Sequence, residues 1–153
     1  MTAQFFIDSI AAAASASMRQ SKIPASFTIA EGALESGWGS SVLYEKAKNI
    51  FGVKVYPGWK GEILTLPTRE YINERWEMVE AKWCIYHTYL ECILDHARFI
   101  LTEPRYSGCF AHPYSGAEFA IEIQRAGYAT DPDYAEKIGS IIRQHGLIKY
   151  DVA

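Results

Sequence analysis

The sequence predicts an α+β fold, a mainly helical body interrupted by one small β-hairpin. Three observations carry this. Apolar residues recur at helical spacing up to about residue 47 and again after Tyr86. The intervening "NIFGVKVYPGWKGEILTLPTREYINERWEMVEAKWCIY" is instead rich in glycines, aromatics and β-branched residues. No linker, repeat or low-complexity stretch divides the chain. Its 153 residues, 49% of them hydrophobic, suit one domain with a real core, spanning 1–153 with a β lobe at about 53–84.

The elements follow in order. Thr2 is placed to cap a first helix in which Phe6, Ile10, Ala13 and Ala14 share a face. "SKIP" breaks it, and Pro24 suits the first turn of a second helix, Pro24–Ser36, ending at Gly37. Ser40 or Ser41 starts a short third helix through Lys46. Residues 62–72 and 76–83 read as two strands joined at "NER", although Asn73-Glu74 is a weak turn pair. Leu90, Ile93, Leu94, Ala97, Ile100 and Leu101 then mark one helical face. Residues 115–125 and 132–144 read as two more helices, with Asp131 the expected N-cap of the last.

Composition excludes several functions. The net charge is −3 with both signs interspersed, so no basic stripe offers a nucleic-acid surface. No run approaches the ~18 apolar residues of a membrane span. The N-terminus has no basic leader and Asp8 interrupts its apolar run, so it reads as a mature helix rather than a signal peptide. Three cysteines (Cys84, Cys92, Cys109) are too few for a disulfide framework. Cys84 with His87, or Cys109 with His112, is a weak imitation of a thiol-protease pair. No metal-ligand spacing occurs, and His87 and His96 are expected on opposite faces of a helix. No cofactor is expected.

"AEGALESGWG", residues 30–39, is the stretch that asks for chemistry. Glu31 and Glu35 lie four apart, on similar sides of a helix. Glu35 falls in the last turn, where the negative end of the helix and the apolar Ala33, Leu34 and Trp38 raise a carboxyl pKa. A carboxyl that stays protonated near neutrality is a general acid. Glu31 reads either as a solvated helix edge or as an anion that raises Glu35 further. Hydrolysis of a glycosidic bond usually needs a second carboxylate. The hairpin offers Glu62, Glu70, Glu74, Glu77 and Glu80, and spacing does not choose among them. Trp38, Tyr56, Trp59 and Tyr128 sit in glycine-rich or polar contexts that suit the edge of a sugar-binding groove.

The ordered motifs "ASFTIAEGALESGWGSS", "AKNIFGVK", "GWKGE", "TREYI" and "AGYATDPDYAEKI" resemble the catalytic domain of glycoside hydrolase family 73, over about residues 5–150. Those are endo-β-N-acetylglucosaminidases acting on peptidoglycan. The resemblance implies a lysozyme-like fold, with a helical lobe and a β lobe flanking a groove. It implies Glu35 as general acid, Glu70 of "TREYI" as second carboxylate and Tyr128 of "GYATDP" as a catalytic tyrosine beside the scissile sugar. Trp38, Asn49, Phe51, Gly52 and Tyr134 are then expected to bind substrate. Two departures stand out: relatives commonly carry Gln at the position of Glu31 and Ala at that of Gly32.

The expected reaction cleaves the β-1,4 bond between N-acetylglucosamine and N-acetylmuramic acid. A carboxylate separation of about 6.5–9.5 Å would suit an inverting path, and about 5 Å a nucleophile. A wider gap leaves hairpin closure, or attack by the sugar's own N-acetyl group with Tyr128 steadying it. The rivals are a lytic transglycosylase or muramidase of the same fold, and a non-enzymatic wall-binding module. A short chain without a leader suggests a phage or prophage lysin. It is expected to be a monomer, made in the bacterial cytoplasm and acting on glycan strands of the wall, without membrane insertion.

Overall fold

A computed structural model describes residues 1–152. Six α-helices and one two-stranded antiparallel sheet occur among them: α1 Ala3–Ser21, α2 Ala25–Ser36, α3 Val42–Ala47, β1 Ile63–Ile72, β2 Arg75–Cys84, α4 Tyr89–Thr102, α5 Gly116–Arg125 and α6 Tyr134–His145. Short 3-10 turns at Pro104–Phe110 and Leu147–Tyr150 complete the helical body. The α+β expectation holds. No helix among the described residues is long and apolar enough to cross a membrane.

Helix α2 is the hub. Every residue of it except Leu34 and Glu35 is buried, the signature of a helix enclosed on all sides. It packs on α1, α5, α6 and the Leu147–Tyr150 turn. Phe27 meets Phe119 of α5 edge to face at 4.8 Å. Pro24 is its N-cap rather than its first residue and supplies no side-chain cap. The cap comes from the far end of the chain: the Asp151 carboxylate accepts from Ser26 N at 2.7 Å and Ser26 Oγ at 2.8 Å. An anion at a helix N-terminus is favourable there.

The other end of α2 explains "SGWG". Gly37, Trp38 and Gly39 all have positive φ, at 58°, 58° and 81°. This left-handed turn stops the helix and bonds Trp38 N to Ala33 O. A side chain at Gly39 would collide with Tyr44 and Phe6. The turn thereby folds Trp38 back onto Phe6 of α1 (5.9 Å) and His145 of α6 (4.8 Å).

The hairpin pairs Ile63 with Cys84 through to Ile72 with Arg75. Asn73 and Glu74 form a two-residue turn with φ of 51° and 65°, the left-handed pair that matches strand twist. Residues of β1 alternate exposed and half-buried; Leu64, Leu66, Thr68, Glu70 and Ile72 form the inner face.

Three sequence expectations need correction. On α4 the buried stripe is Cys92, Ile93, Ala97 and Ile100, and Leu90 and Leu101 are exposed. The packed line is rotated because α4 meets α1 on one side and turns Asp95, His96 and Phe99 toward a cleft on the other. His87 precedes α4 altogether, with Thr88 as N-cap. Asp131 does not cap α6. It closes a turn on Asp133 N and binds Lys137 Nζ, and the helix begins two residues later than the proline suggests.

The tightest helix contact is testable. A methyl group at Gly116 would run into Ser26 Oγ and crowd Ile142 Cδ1 at 3.0 Å. Gly116→Ala should therefore cost about 1–3 kcal/mol, read as a lower urea midpoint at unchanged slope.

Candidate active site

The site begins with the two glutamates of α2, which have opposite surroundings. Glu31 is fully buried. Its Oε1 accepts from Tyr128 Oη at 2.5 Å and lies 2.9 Å from His96 Nε2. Its Oε2 accepts from Tyr134 Oη at 2.5 Å. A carboxylate is acceptor-only, so the imidazole nitrogen must donate. The solvated-edge reading of Glu31 is thus overturned: an anion so deep survives only because donors surround it.

Glu35, one turn later, is exposed, and no protein donor among the described residues reaches its carboxyl. The protein mass behind it still raises its pKa above the ordinary carboxyl value, chiefly by desolvation. The Glu31 charge adds to this, and His96 opposes it. An unpartnered carboxyl with a raised pKa at the end of a helix is equipped to give up a proton to a bound oxygen.

A cleft of about 480 Å³ opens between α4 and the segment that follows α3, and it reaches Glu31 through His96, which lines it and bonds the buried carboxylate. Phe51, Gly52, Val53, His96 and Phe99 are among the residues lining it. His96 stacks on Phe51 at 4.1 Å between centroids and 16° between planes. The expected groove residues Phe51 and Gly52 therefore do line a cleft. Lys54, at the same wall, binds Glu70 Oε1 at 3.2 Å, which ties the hairpin's inner carboxylate to the cleft rim. Glu77 stands directly across the ladder from Glu70 and pairs with Arg75.

The remaining expected site residues have different roles. Asn49 is fully buried. Its amide nitrogen donates to Val53 O and Cys84 O, and its oxygen accepts from Val53 N, each at 2.9 Å. It fixes the cleft segment to the base of β2 and has no polar atom left for a sugar. Trp38 packs between Phe6 and His145 rather than edging the cleft. Tyr134 is buried against Glu31. Tyr128 is half-buried, and its hydroxyl is committed to Glu31, with His96 Nε2 2.9 Å away. Burial, then the Glu31 charge, pushes its pKa well up, so it stays a donor.

Sequence reasoning missed His96 as the partner of Glu31, and it missed Asp95. That carboxylate accepts from Tyr56 Oη (2.9 Å), Tyr86 Oη (2.7 Å) and Arg98. The available signal was a polar pair, Asp95-His96, interrupting the apolar stripe of α4. The cysteines are free and buried. Burial pushes the Cys84 thiol up to about 11 and the Cys92 thiol to about 12, and raises Cys109 as well. None is a ready nucleophile.

Comparison with known proteins decides the family. The glucosaminidase family model, described as mannosyl-glycoprotein endo-beta-N-acetylglucosaminidase, matches residues 11–147. The chain belongs to the glucosaminidase family, glycoside hydrolase family 73. Peptidoglycan hydrolase FlgJ of Salmonella typhimurium is 39% identical over 129 residues, covering 82% of this chain and 40% of that protein. Exo-glucosaminidase LytG of Bacillus subtilis is 38% identical over 152 residues, covering 97% and 53%. The chain thus spans about half, or less, of these relatives. The structure of a C-terminally truncated glycoside hydrolase domain of Salmonella FlgJ superposes with a TM-score of 0.81 at 36% identity, covering 95% of this chain and 98% of that one. The catalytic domain of the autolysin Auto from Listeria monocytogenes gives 0.84 at 30%, covering 97% and 87%. The glucosaminidase fold is therefore that of a glycoside hydrolase domain, as the motifs implied.

The geometry of Asn49 separates a structural from a binding role. Asn49→Ala removes three hydrogen bonds to the backbone, leaving Val53 N without its acceptor and Val53 O with Cys84 N alone, and should cost about 2–4 kcal/mol in urea unfolding. A sugar-binding side chain would instead weaken substrate affinity and leave the midpoint unchanged.

Proposed function

We propose that this glucosaminidase domain hydrolyses the β-1,4 bond between N-acetylglucosamine and N-acetylmuramic acid in peptidoglycan, with Glu35 as general acid. The observation that supports it most is the contrast on α2: Glu31 is saturated with donors, whereas Glu35 is exposed, unpartnered and raised in pKa. FlgJ, a relative, is named a peptidoglycan hydrolase, and LytG an exo-glucosaminidase. Glu35 protonates the glycosidic oxygen as positive charge develops on the sugar ring. Glu70 is assigned as the second carboxylate because it faces inward on β1 and is tied to the cleft through Lys54. A hairpin that packs mostly on itself suits closure over the glycan. Tyr128 acts through Glu31 rather than on the sugar. The setting is the bacterial cell wall, reached by a monomer, with lysis by a phage-type lysin as its biological outcome. That outcome is checked by the fall in turbidity when the protein is added to permeabilised cells.

The reaction is tested by digesting purified peptidoglycan, reducing the products and weighing them. Reduced N-acetylglucosamine ends are expected, and Glu35→Gln should abolish them. Reduced muramic ends would make it a muramidase, anhydro-muramic ends a transglycosylase, and no new ends a binding module. Glu70→Gln should lose much of the rate without unfolding.

The pH dependence follows from the raised pKa of Glu35. The acid is competent while protonated, so kcat/KM falls as pH rises through the folded-state value. Stability runs the same way: the contribution of a raised carboxyl is present below the unfolded value and lost above the folded one. Glu35→Gln should therefore be at least as stable as the parent at pH 8, by thermal unfolding, although inactive.

A further inference from the structure

Three donors from two distant parts of the chain converge on Glu31, a group the hydrolytic step does not consume. Tyr128 lies in the loop after α5, Tyr134 opens α6, and His96 reaches across from α4. One of them also lines the cleft: His96, which stacks on Phe51. The isosteric neutral residue for this position is Gln. A neutral amide would satisfy some of the same donors, so hydrogen bonding alone does not require a charge here. What the carboxylate adds is a fixed negative charge one helical turn before Glu35.

We propose that Glu31 is a positioning residue for hydrolysis: a buried carboxylate, clamped by Tyr128, Tyr134 and His96, that sets the charge felt by Glu35 and so the pH range over which the domain works. This rests on the assignment of Glu35 as the acid. The titratable groups that face the pair are His96 from α4, Tyr128 from the loop and Tyr134 from α6. Both tyrosines are held neutral, their pKa values raised by burial and then by the Glu31 charge. Glu31 and His96 act on Glu35 in opposite senses, Glu31 raising and His96 lowering its proton affinity. Glu31 lies in the interior and Glu35 is exposed, so solvent screens part of this influence. A domain with Glu31 keeps its acid protonated to higher pH than one with Gln.

The test follows the Glu35 carboxyl directly by carbon-13 NMR titration of labelled protein, alongside the pH profile of kcat/KM on peptidoglycan. In Glu31→Gln the Glu35 titration and the alkaline limb of the profile should both move to lower pH. KM should stay within about twofold and activity should persist at acidic pH. In His96→Gln, which keeps Glu31, both should move to higher pH. A loss of equal size at every pH in a folded Glu31→Gln, with Glu35 titrating as before, would make Glu31 merely structural and overturn the proposal. So would a His96→Gln shift downward or no shift, the measurement that decides if Glu31→Gln fails to fold. The NMR titration stands without any turnover. Displaced titrations in a protein whose Glu35→Gln variant still cleaves would uphold the electrostatic coupling and fault the choice of acid instead.

Discussion

The burial of one carboxylate constrains the rest of this molecule. Taking an ionised carboxylate out of water costs several kcal/mol after relaxation, and removing its partners leaves that cost exposed. Glu31 meets it with hydrogen bonds from Tyr128, Tyr134 and His96. Those donors sit on α4, on the loop before α6 and on α6, so the bonds fix three segments against α2. Asp151 fixes the opposite end of α2 from the last residues of the chain. The position of Glu35 follows, because everything around α2 is held and only Leu34 and Glu35 project from it.

The hairpin is joined to this body differently. At its base, Asn49 grips Val53 and Cys84, Val55 N donates to Lys82 O, and Ile85 N donates to Glu62 O. Toward the tip the strands contact mainly each other. Tyr71, Trp76 and Met78 stay exposed there, with Arg69 over the Trp76 ring at 4.7 Å. A lever anchored at its base and free at its tip carries Glu70 on its inner face. Lys54 links that face to the cleft wall, pairing with Glu70 and lying over the Trp83 ring at 5.6 Å. Both members of the Lys54–Glu70 pair are substantially exposed, so the pairing is weak and easily exchanged.

The legible part of the sequence was what short-range physics controls. Thr2 and Ser41 cap helices because a hydroxyl three residues before a free N–H needs no tertiary context. Gly37 ended α2 where a left-handed residue was required. The strands were found within a residue or two from their alternation. The illegible part was set by partners far along the chain. Nothing within α2 reveals that Glu31 points inward, because its donors lie 65, 97 and 103 residues away. Asn49 and Trp38 sat in motifs that read as groove, and both turned out to hold the scaffold on which the groove is built. Motif matching finds residues that matter without saying whether they touch a ligand or support one that does.

The comparison of Glu31 with Glu35 shows how one helix produces two kinds of carboxylate. They are one turn apart and share the same protein mass behind them. Donors make the first tolerable as a buried charge. The second has no donor, so desolvation and the charge of the first act on it unopposed except by His96. Giving Glu35 a hydrogen-bond donor would stabilise its ionised form and lower its proton affinity. A carboxyl of raised proton affinity at this position is therefore made by withholding a partner, and the unfavourable environment is sustained by the well-satisfied network one turn away.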